Sequence, residues 1–331
     1  MSILITGGAG YIGSHAARLL AEQGEEIVVL DNLELGHREA IVSPGVELVQ
    51  GDVGDSALVE AIFSQHRIDA VLHFAAWALV GESVAEPLKY YRNNVASPLV
   101  LLNAMQRHGT RQFIFSSTAA TYGNPVRVPM DESHPQEPIN PYGRSKLMLE
   151  RILGDCGQAW GLNYVILRYF NASGCSGDSL IGEDHTPESH LIPRALMAAA
   201  GTAPPLTVFG TDYPTPDGTC IRDYIHVLDL AEAHAKGLTY LRNGGASVAC
   251  NLGTGAGVSV QEIIGLAESV TGKPVPREYG PRRPGDPPSL VADPSRARDI
   301  LGWTAACTDP RLMIESTWRW LTGPRGGRYQ A

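Results

Sequence analysis

The chain is poor in the features that staple, span or coat. Its 331 residues hold five cysteines, Cys156, Cys175, Cys220, Cys250 and Cys307. They are scattered and odd in number, and no two form a Cys-x-x-Cys pair. Neither a disulfide framework nor a zinc knuckle is expected, and no metal site is read from the sequence. Positive charge is also scarce. Lys and Arg number 26 against 35 Asp and Glu, a net charge of −9. That balance argues against a nucleic-acid partner, which needs a basic face. No apolar run reaches the roughly 18 residues that cross a membrane. The chain enters an apolar strand at once (Ile3, Leu4, Ile5), with no basic stretch or cleavage site before it. No membrane partner and a cytoplasmic location are therefore expected.

What is present is a repeating pattern. Short apolar runs at Ile3–Thr6, Glu26–Leu30, Val46–Val49, Ala70–Phe74, Gln112–Ser116 and Tyr164–Leu167 read as strands. Between them, Ser14–Gln23, Ser56–Gln65, Val95–His108 and Tyr142–Cys156 carry helical periodicity. Strands alternating with amphipathic helices predict an α/β fold, a Rossmann-type doubly wound parallel sheet. After Phe170 the texture changes to Gly, Pro, Ser and Thr, with one clear helix near Pro193–Ala200. Residues 1–170 are expected to form the dinucleotide-binding domain, with 226–252 returning to its sheet as helix and strand. The rest of 171–331 is expected to form a smaller, non-contiguous α/β lobe for substrate. Trp303, Trp318 and Trp320 are expected to pack that lobe, and the tail from Gly323 to fray.

Thr6-Gly7-Gly8-Ala9-Gly10-Tyr11-Ile12-Gly13 lies between the first strand and first helix. Side chains at Gly7 or Gly10 would keep a pyrophosphate from the backbone. Gly13 lets the helix close on the strand, and the helix N-terminus offers free N–H groups to phosphate. Asp31 ends the second strand, 18 residues after Gly13. A carboxylate there accepts from an adenosine ribose and repels a 2′-phosphate, favouring NAD. Asp52-Val53, after the third strand, falls where adenine would lie.

Tyr142 and Lys146 form a Tyr-x-x-x-Lys at the start of a helix, so both side chains share one face. A free tyrosine, with a pKa of about 10, is a poor base at neutral pH. A nearby ammonium and a positive nicotinamide ring would stabilise the phenolate. By itself the motif is as easily a surface helix. Its position after the strand Gln112–Ser116 and the hydroxyl run Ser116-Ser117-Thr118 makes it the candidate catalytic pair.

Together these motifs resemble the extended short-chain dehydrogenase/reductase superfamily and, within it, the UDP-glucose 4-epimerase branch of the NAD-dependent epimerases and dehydratases. TGGAGYIGSH (Thr6–His15), DNL (Asp31–Leu33), GDV (Gly51–Val53), HFAA (His73–Ala76) and VGES (Val80–Ser83) carry the likeness. So do PYGRSK (Pro141–Lys146), RYFN (Arg168–Asn171), HLIP (His190–Pro193), DGTCIRDYIHV (Asp217–Val227) and NLGTG (Asn251–Gly255). The resemblance implies that Tyr142 takes the proton from the sugar 4-hydroxyl, that Lys146 holds the nicotinamide ribose, and that Thr118 bridges substrate and base. It implies tightly bound NAD, which takes the C4 hydride and returns it to the other face of a 4-keto sugar. Gly7, Gly10, Tyr11, Ile12, Gly13, Asp31, Asn32, Asp52, Val53, Phe74, Ala75, Ala76, Asn93, Ser116 and Phe170 fall at cofactor positions, with Tyr142 and Lys146. For the UDP-sugar it points to Asn171, His190, Leu191, Phe209, Arg222, Arg283, Asp286 and Leu290. Arg222 and Arg283 would meet the pyrophosphate, and Asp286 the uridine ribose. Arg282, beside Arg283, reads as solvent-facing.

Three features bear on specificity and assembly. Ala78 stands where some members have lysine. Leu290 stands where the family has either tyrosine or a smaller residue; the smaller residue accompanies acceptance of N-acetylated sugars, so UDP-GlcNAc is an expected second substrate. The family also pairs the helices near Leu88–His108 and Tyr142–Cys156 across a homodimer. Among rival readings, a 4,6-dehydratase needs an acid pair after the threonine, and Ala119-Ala120 stands there. A UDP-arabinose or UDP-glucuronate 4-epimerase would use the same catalytic residues, and a non-catalytic NAD(H) sensor tends to lose the tyrosine or lysine. His73 and His226, in or beside apolar strands, read as structural.

Overall fold

The computed structural model describes residues 1–283 and 286–329. In chain order the strands are β1 (Ser2–Thr6), β2 (Glu26–Asp31), β3 (Glu47–Gln50), β4 (Ile68–His73), β5 (Gln112–Thr118), β6 (Asn163–Tyr169), β7 (Asn171–Ser173), β8 (Leu206–Phe209), β9 (Ile221–His226), β10 (Val248–Leu252), β11 (Gly257–Ser259), β12 (Arg277–Gly280) and β13 (Ser289–Leu290). The helices are α1 (Tyr11–Glu22), α2 (Ser56–Gln65), α3 (Val80–Ala85), α4 (Pro87–Tyr91), α5 (Ser97–His108), α6 (Pro141–Trp160), α7 (Leu191–Ala200), α8 (Val227–Arg242), α9 (Val260–Thr271), α10 (Ser295–Leu301) and α11 (Pro310–Thr322).

Seven strands form one parallel sheet in the order β10-β6-β5-β4-β1-β2-β3. Successive residues of a strand face opposite sides. Ile3 and Ile5 of β1 pack with Leu20, Leu230 and Leu238 of α1 and α8. Leu4 between them packs with Val59, Leu101 and Leu149 of α2, α5 and α6. Both faces are covered, which is why these strands read as unbroken apolar runs. Each fully buried Ile, Leu or Phe contributes roughly 1.5–3 kcal/mol. The order reverses at β1, where chain connections leave in opposite directions. The crevice beyond the C-terminal ends of β1 and β4 is the place such sheets bind ligands.

The smaller lobe has one sheet in which β9 pairs β7, β11 and β13, and a two-stranded sheet of β8 and β12. Helices α7, α9 and α11 pack around Leu196, Ile263 and Ile314. α9 begins with a reciprocal capping box between Ser259 and Glu262.

Several elements differ from the sequence reading. α1 begins at Tyr11, not Ser14, so Tyr11, Ile12 and Gly13 are its first turn. The helix expected at 95–108 is preceded by a π-helical stretch, Arg92–Ala96, a device common at functional sites. The tail does not fray as far as it is described. Tyr329 is buried, stacks on His37 with ring centroids 4.8 Å apart, and donates its amide to Asp184 Oδ2 at 2.9 Å. A large ring with a pocket to fill outweighs the glycines before it. Trp303 packs the first lobe rather than the second, with Leu230, Ala233 and Leu301, and its indole donates to the Asp229 carbonyl.

One polar network runs through this core. Glu150 of α6 accepts two bonds from Arg168 of β6, at 3.0 and 2.6 Å, one from Ser117 at 2.5 Å and one from Gln136 at 3.0 Å. Arg168 also donates to the Tyr122 hydroxyl, which donates to Asn251 of β10 at 2.6 Å. Both charges are buried. Breaking such a pair leaves a lone buried charge, at a cost of about 3–5 kcal/mol. Glu150→Ala is therefore expected to lower the chemical-denaturation midpoint by an amount equal to several kcal/mol. The double variant Glu150→Met/Arg168→Met should lose less than Glu150→Ala alone.

Candidate active site

The loop after β1 is shaped by what its glycines do not carry. Gly7 has φ +71°, and a Cβ there would lie 2.4 Å from the Ala75 backbone nitrogen. A Cβ at Gly13 would lie 2.2 Å from the Gly7 carbonyl oxygen. These two glycines are needed by the fold, since only they allow loop, helix and the β4 exit to close together. Gly10 differs. Its added Cβ would touch only the Gly7 carbonyl, at 3.3 Å, and Gly10 lines the cleft. The room it leaves is room for a ligand. No side chain caps α1, and its first turn holds no acidic residue, so its N–H groups and dipole are left for an anion.

Asp31 Oδ2 accepts the Ala9 amide and Oδ1 the Leu33 amide, each at 2.9 Å. Burial pushes its carboxyl up, and the two amides oppose this. The carboxylate thus ties the glycine loop to the end of β2 while lining the cleft. Asn32, Asp52, Val53, Phe74, Ala75, Ala76 and Asn93 line the same cleft as Gly7, Gly10 and Asp31. Asn32 donates to Asp52 across it at 3.3 Å. The side chains of two expected cofactor residues point away from the cleft, which leaves them only their first-turn amides to offer it. The Tyr11 hydroxyl donates to the Gly174 carbonyl at 2.6 Å, and Ile12 packs on the core behind the sheet. The cleft also includes Leu35, Gly36 and Trp77, which were not read from the sequence. A Cβ on Gly36 would lie 2.7 Å from Asp31 Oδ1, so an Asn-Leu-Glu-Leu-Gly run folding back on its own aspartate was the available signal. The donor set and the side-chain-free cradle fit a dinucleotide.

The catalytic candidates meet at the end of β5. Asn140 caps α6 through Gly143 N at 2.8 Å, and Pro141 presets its first turn. Tyr142 is therefore in the first turn and Lys146 one turn later. Gly143 has a local reason: a Cβ there would lie 2.3 Å from the Ala120 carbonyl oxygen. The helix can close on the turn that follows Thr118. Asn94 Nδ2, from the π-helical stretch, donates to Ser145 at 3.1 Å and to the Trp77 carbonyl at 2.9 Å. That stretch thereby couples α6 to the cleft wall bearing Asn93.

Lys146 is buried and donates to the Ser116 carbonyl at 2.9 Å. Burial lowers its ammonium to about 7, while Glu150 favours the charged form. Burial raises the Tyr142 phenol to about 12, and the Thr118 hydroxyl opposes the rise. In the protein alone the phenol is thus a weak acid. Ser116 itself bonds the Tyr169 hydroxyl. His73 contacts Thr6 through Nδ1 at 2.6 Å and is held neutral by burial, down to about 3. His226 caps α8 and bonds Ser316.

The smaller lobe closes over this point. Leu290 and Phe170 pack on Ala119, Tyr122 and Met130. Leu290 pairs with Arg222 in the β13–β9 register. Arg222 Nη2 donates to Asp286 Oδ1 at 2.9 Å, so the residues expected on pyrophosphate and ribose are each other's partners here. The Arg283 guanidinium lies 4.0 Å from the Phe209 ring centroid, a contact worth roughly 0.5–2 kcal/mol. Pro284 and Gly285, within the RRPGD run, lie outside the described residues. Arg282 is exposed, as expected, and pairs there with Asp212 and covers Tyr213. Asn171 starts β7 and Leu191 starts α7. His190 Nδ1 is held by Glu183 at 2.7 Å and Glu188 at 2.9 Å. Glu183 raises its pKa against the effect of burial.

Residues 3–253 match the NAD dependent epimerase/dehydratase family. A UDP-glucose 4-epimerase of Halalkalibacterium halodurans is 52% identical over 320 residues, covering 97% of this chain and 95% of that protein. The crystal structure of UDP-glucose 4-epimerase from Brucella ovis in complex with NAD is 51% identical, with a TM-score of 0.93 over 96% of this chain and 97% of that one. The UDP-Glc/GlcNAc 4-epimerase from Campylobacter jejuni is 43% identical, with a TM-score of 0.86 over 97% of this chain and 99% of that one. The chain belongs to the NAD-dependent epimerase/dehydratase family.

Proposed function

We propose that the chain is an NAD-dependent UDP-sugar 4-epimerase that interconverts UDP-glucose and UDP-galactose. The observation that carries this reading is that the Tyr142 phenol meets Thr118 and Lys146 holds Ser116 at the end of β5, next to Ala119, on which Leu290 and Phe170 pack. NAD, when bound, supplies a hydride acceptor for C4 and a donor for its return. The chain's own residues handle the proton. Tyr142 takes it from the sugar 4-hydroxyl and gives it back to the 4-keto oxygen. Thr118 faces the phenol and shares that proton path. Lys146 titrates near neutrality, so it can present an ammonium to the ribose and, with the positive ring, favour the phenolate. Phe209, Arg222, Arg283 and Asp286 hold the uridine diphosphate, with Asn171, His190 and Leu191 beside it. Residues 1–170 with 226–252 serve the cofactor, and the remaining lobe serves the sugar nucleotide.

A 4,6-dehydratase is disfavoured by Ala119, which is buried against Tyr122 and Met130 where that chemistry needs an acid. Activity on UDP-GlcNAc is favoured by Leu290, whose aliphatic side chain leaves more room than tyrosine.

For assembly we propose a homodimer through α3–α6. Much of the apolar surface of these helices is internal core, as at Leu102, Met105, Leu147 and Leu149. The exposed apolar residues of these helices are Val80, Val84, Leu88 (73% exposed), Leu99 (41%) and Met148 (43%). Exposed apolar clusters of this kind mark interaction sites. Among the described residues, no helix is long and apolar enough to cross a membrane.

Three outcomes test these readings. Tyr142→Phe should lower kcat on UDP-glucose by about 10²–10⁴-fold, while calorimetric UDP binding stays near wild type; full activity would refute the mechanism. The wild type should turn over UDP-GlcNAc in an NMR assay of C4 inversion, and Leu290→Tyr should lose that activity while keeping UDP-glucose turnover. No UDP-GlcNAc turnover by the wild type would remove the second substrate. Leu99→Arg/Met148→Arg should shift the light-scattering mass from twice to once the 35.5 kDa chain mass; an unchanged dimer would place the interface elsewhere.

A further inference from the structure

We propose that Glu183, His185, Glu188 and His190 bind one divalent transition-metal ion of the zinc class. The four lie in a single Glu-x-His-x-x-Glu-x-His segment. Each offers one ligand atom, and these atoms all lie within 4.8 Å of one another. His190 Nδ1 is 2.7 Å from Glu183 and 2.9 Å from Glu188, and His185 Nδ1 is 3.2 and 3.7 Å from the same two carboxylates. Zinc bonds to nitrogen and oxygen are about 2.0–2.1 Å, so a tetrahedral ion sets its ligand atoms about 3.3 Å apart. The four distances, those to Glu188 being to Oε1 from His190 and to Oε2 from His185, straddle that value.

Charge and hydrogen bonding point the same way. The Glu183 and Glu188 side chains are both nearly inaccessible. Two carboxylates so placed need a compensating charge of two, which a dication supplies at a single point. His185 Nδ1 is buried and makes no hydrogen bond, though it faces Glu183. As a hydrogen-bond network the cluster is incomplete; as a ligand set it is complete. Two imidazoles and two carboxylates suit zinc better than calcium or magnesium, which prefer oxygen alone.

The surroundings hold the segment firmly. The Trp320 indole donates to the Glu183 carbonyl at 2.8 Å, and Asp184 accepts the Tyr329 amide at 2.9 Å. The Tyr11 ring lies edge-on to His185, with centroids 6.5 Å apart. The ion would join the start of α1, beside the phosphate-binding loop, to the entry of α7. Four protein ligands leave no open position, so its role is structural.

The test uses the untagged full chain, stripped with a chelator and reloaded with zinc or cobalt alone. The wild type should retain about one zinc per chain by mass spectrometry. Its cobalt form should show the intense visible bands of tetrahedral coordination. His185→Ala and Glu183→Gln should lose about 100-fold or more in zinc affinity, and zinc should raise Tm only in the wild type. The cobalt spectrum of the wild type is read without any variant, so a misfolded variant does not blunt the test. A wild type that retains no zinc, weak octahedral cobalt bands, or equal zinc binding by wild type and a folded His185→Ala/Glu183→Gln double variant would overturn the proposal. In that case the cluster is two protonated imidazoles paired with two carboxylates.

Discussion

The buried pair between Glu150 and Arg168 is the contact around which the catalytic half is organised. Glu150 lies one helical turn beyond Lys146, and Arg168 lies on the strand beside Thr118. Their bonds reach Ser117, Tyr122, Gln136 and Asn251, so α6, β5, β6 and β10 are held in one register. A charge pair this deep is a poor source of net stability. Its value is directional. Apolar packing would let α6 slide along the sheet by a fraction of a turn, whereas a two-pronged guanidinium and carboxylate would not.

From that register the chemistry follows. α6 begins just where Gly143 can close on Ala120, which sets the Tyr142 phenol against Thr118. Lys146 is brought into the core with its charge only partly compensated. The same burial that makes the lysine easy to deprotonate makes the tyrosine hard to ionise. Positive charge arriving with a cofactor would correct the tyrosine, and a ribose hydroxyl accepting from the ammonium would correct the lysine. On this view the bare protein holds an acid–base pair in reserve, and cofactor binding arms it.

Beside the catalytic turn the lobes meet at Leu290. Leu290 touches Ala119 and Phe170, and its neighbour in register, Arg222, reaches Asp286. In the proposed function, specificity for the sugar and grip on the diphosphate would therefore be linked through one short strand pair, β9 and β13. A change at position 290 is felt beside the catalytic turn as well as in the pocket.

Local patterns were legible in the sequence because their physics is local. Apolar runs with helical spacing between them imply a doubly wound sheet. The glycines at 7, 10 and 13 and the Tyr142–Lys146 spacing carry their geometry within a single turn. Even so, neighbouring glycines had different reasons: Gly13 is required by contact with Gly7, whereas Gly10 opens the cleft. Only the tertiary structure could separate them, because the deciding contacts cross the loop. It also decided where Trp303 packs, that Tyr329 docks against His37, and that Arg222 and Asp286 meet. Each of these joins residues far apart in the chain, and burial, not spacing, selects them. The segment from Glu183 to His190 lies between the two cases. Its spacing was visible from the start, but two acids and two histidines in a loop mean little until the fold removes water from the carboxylates.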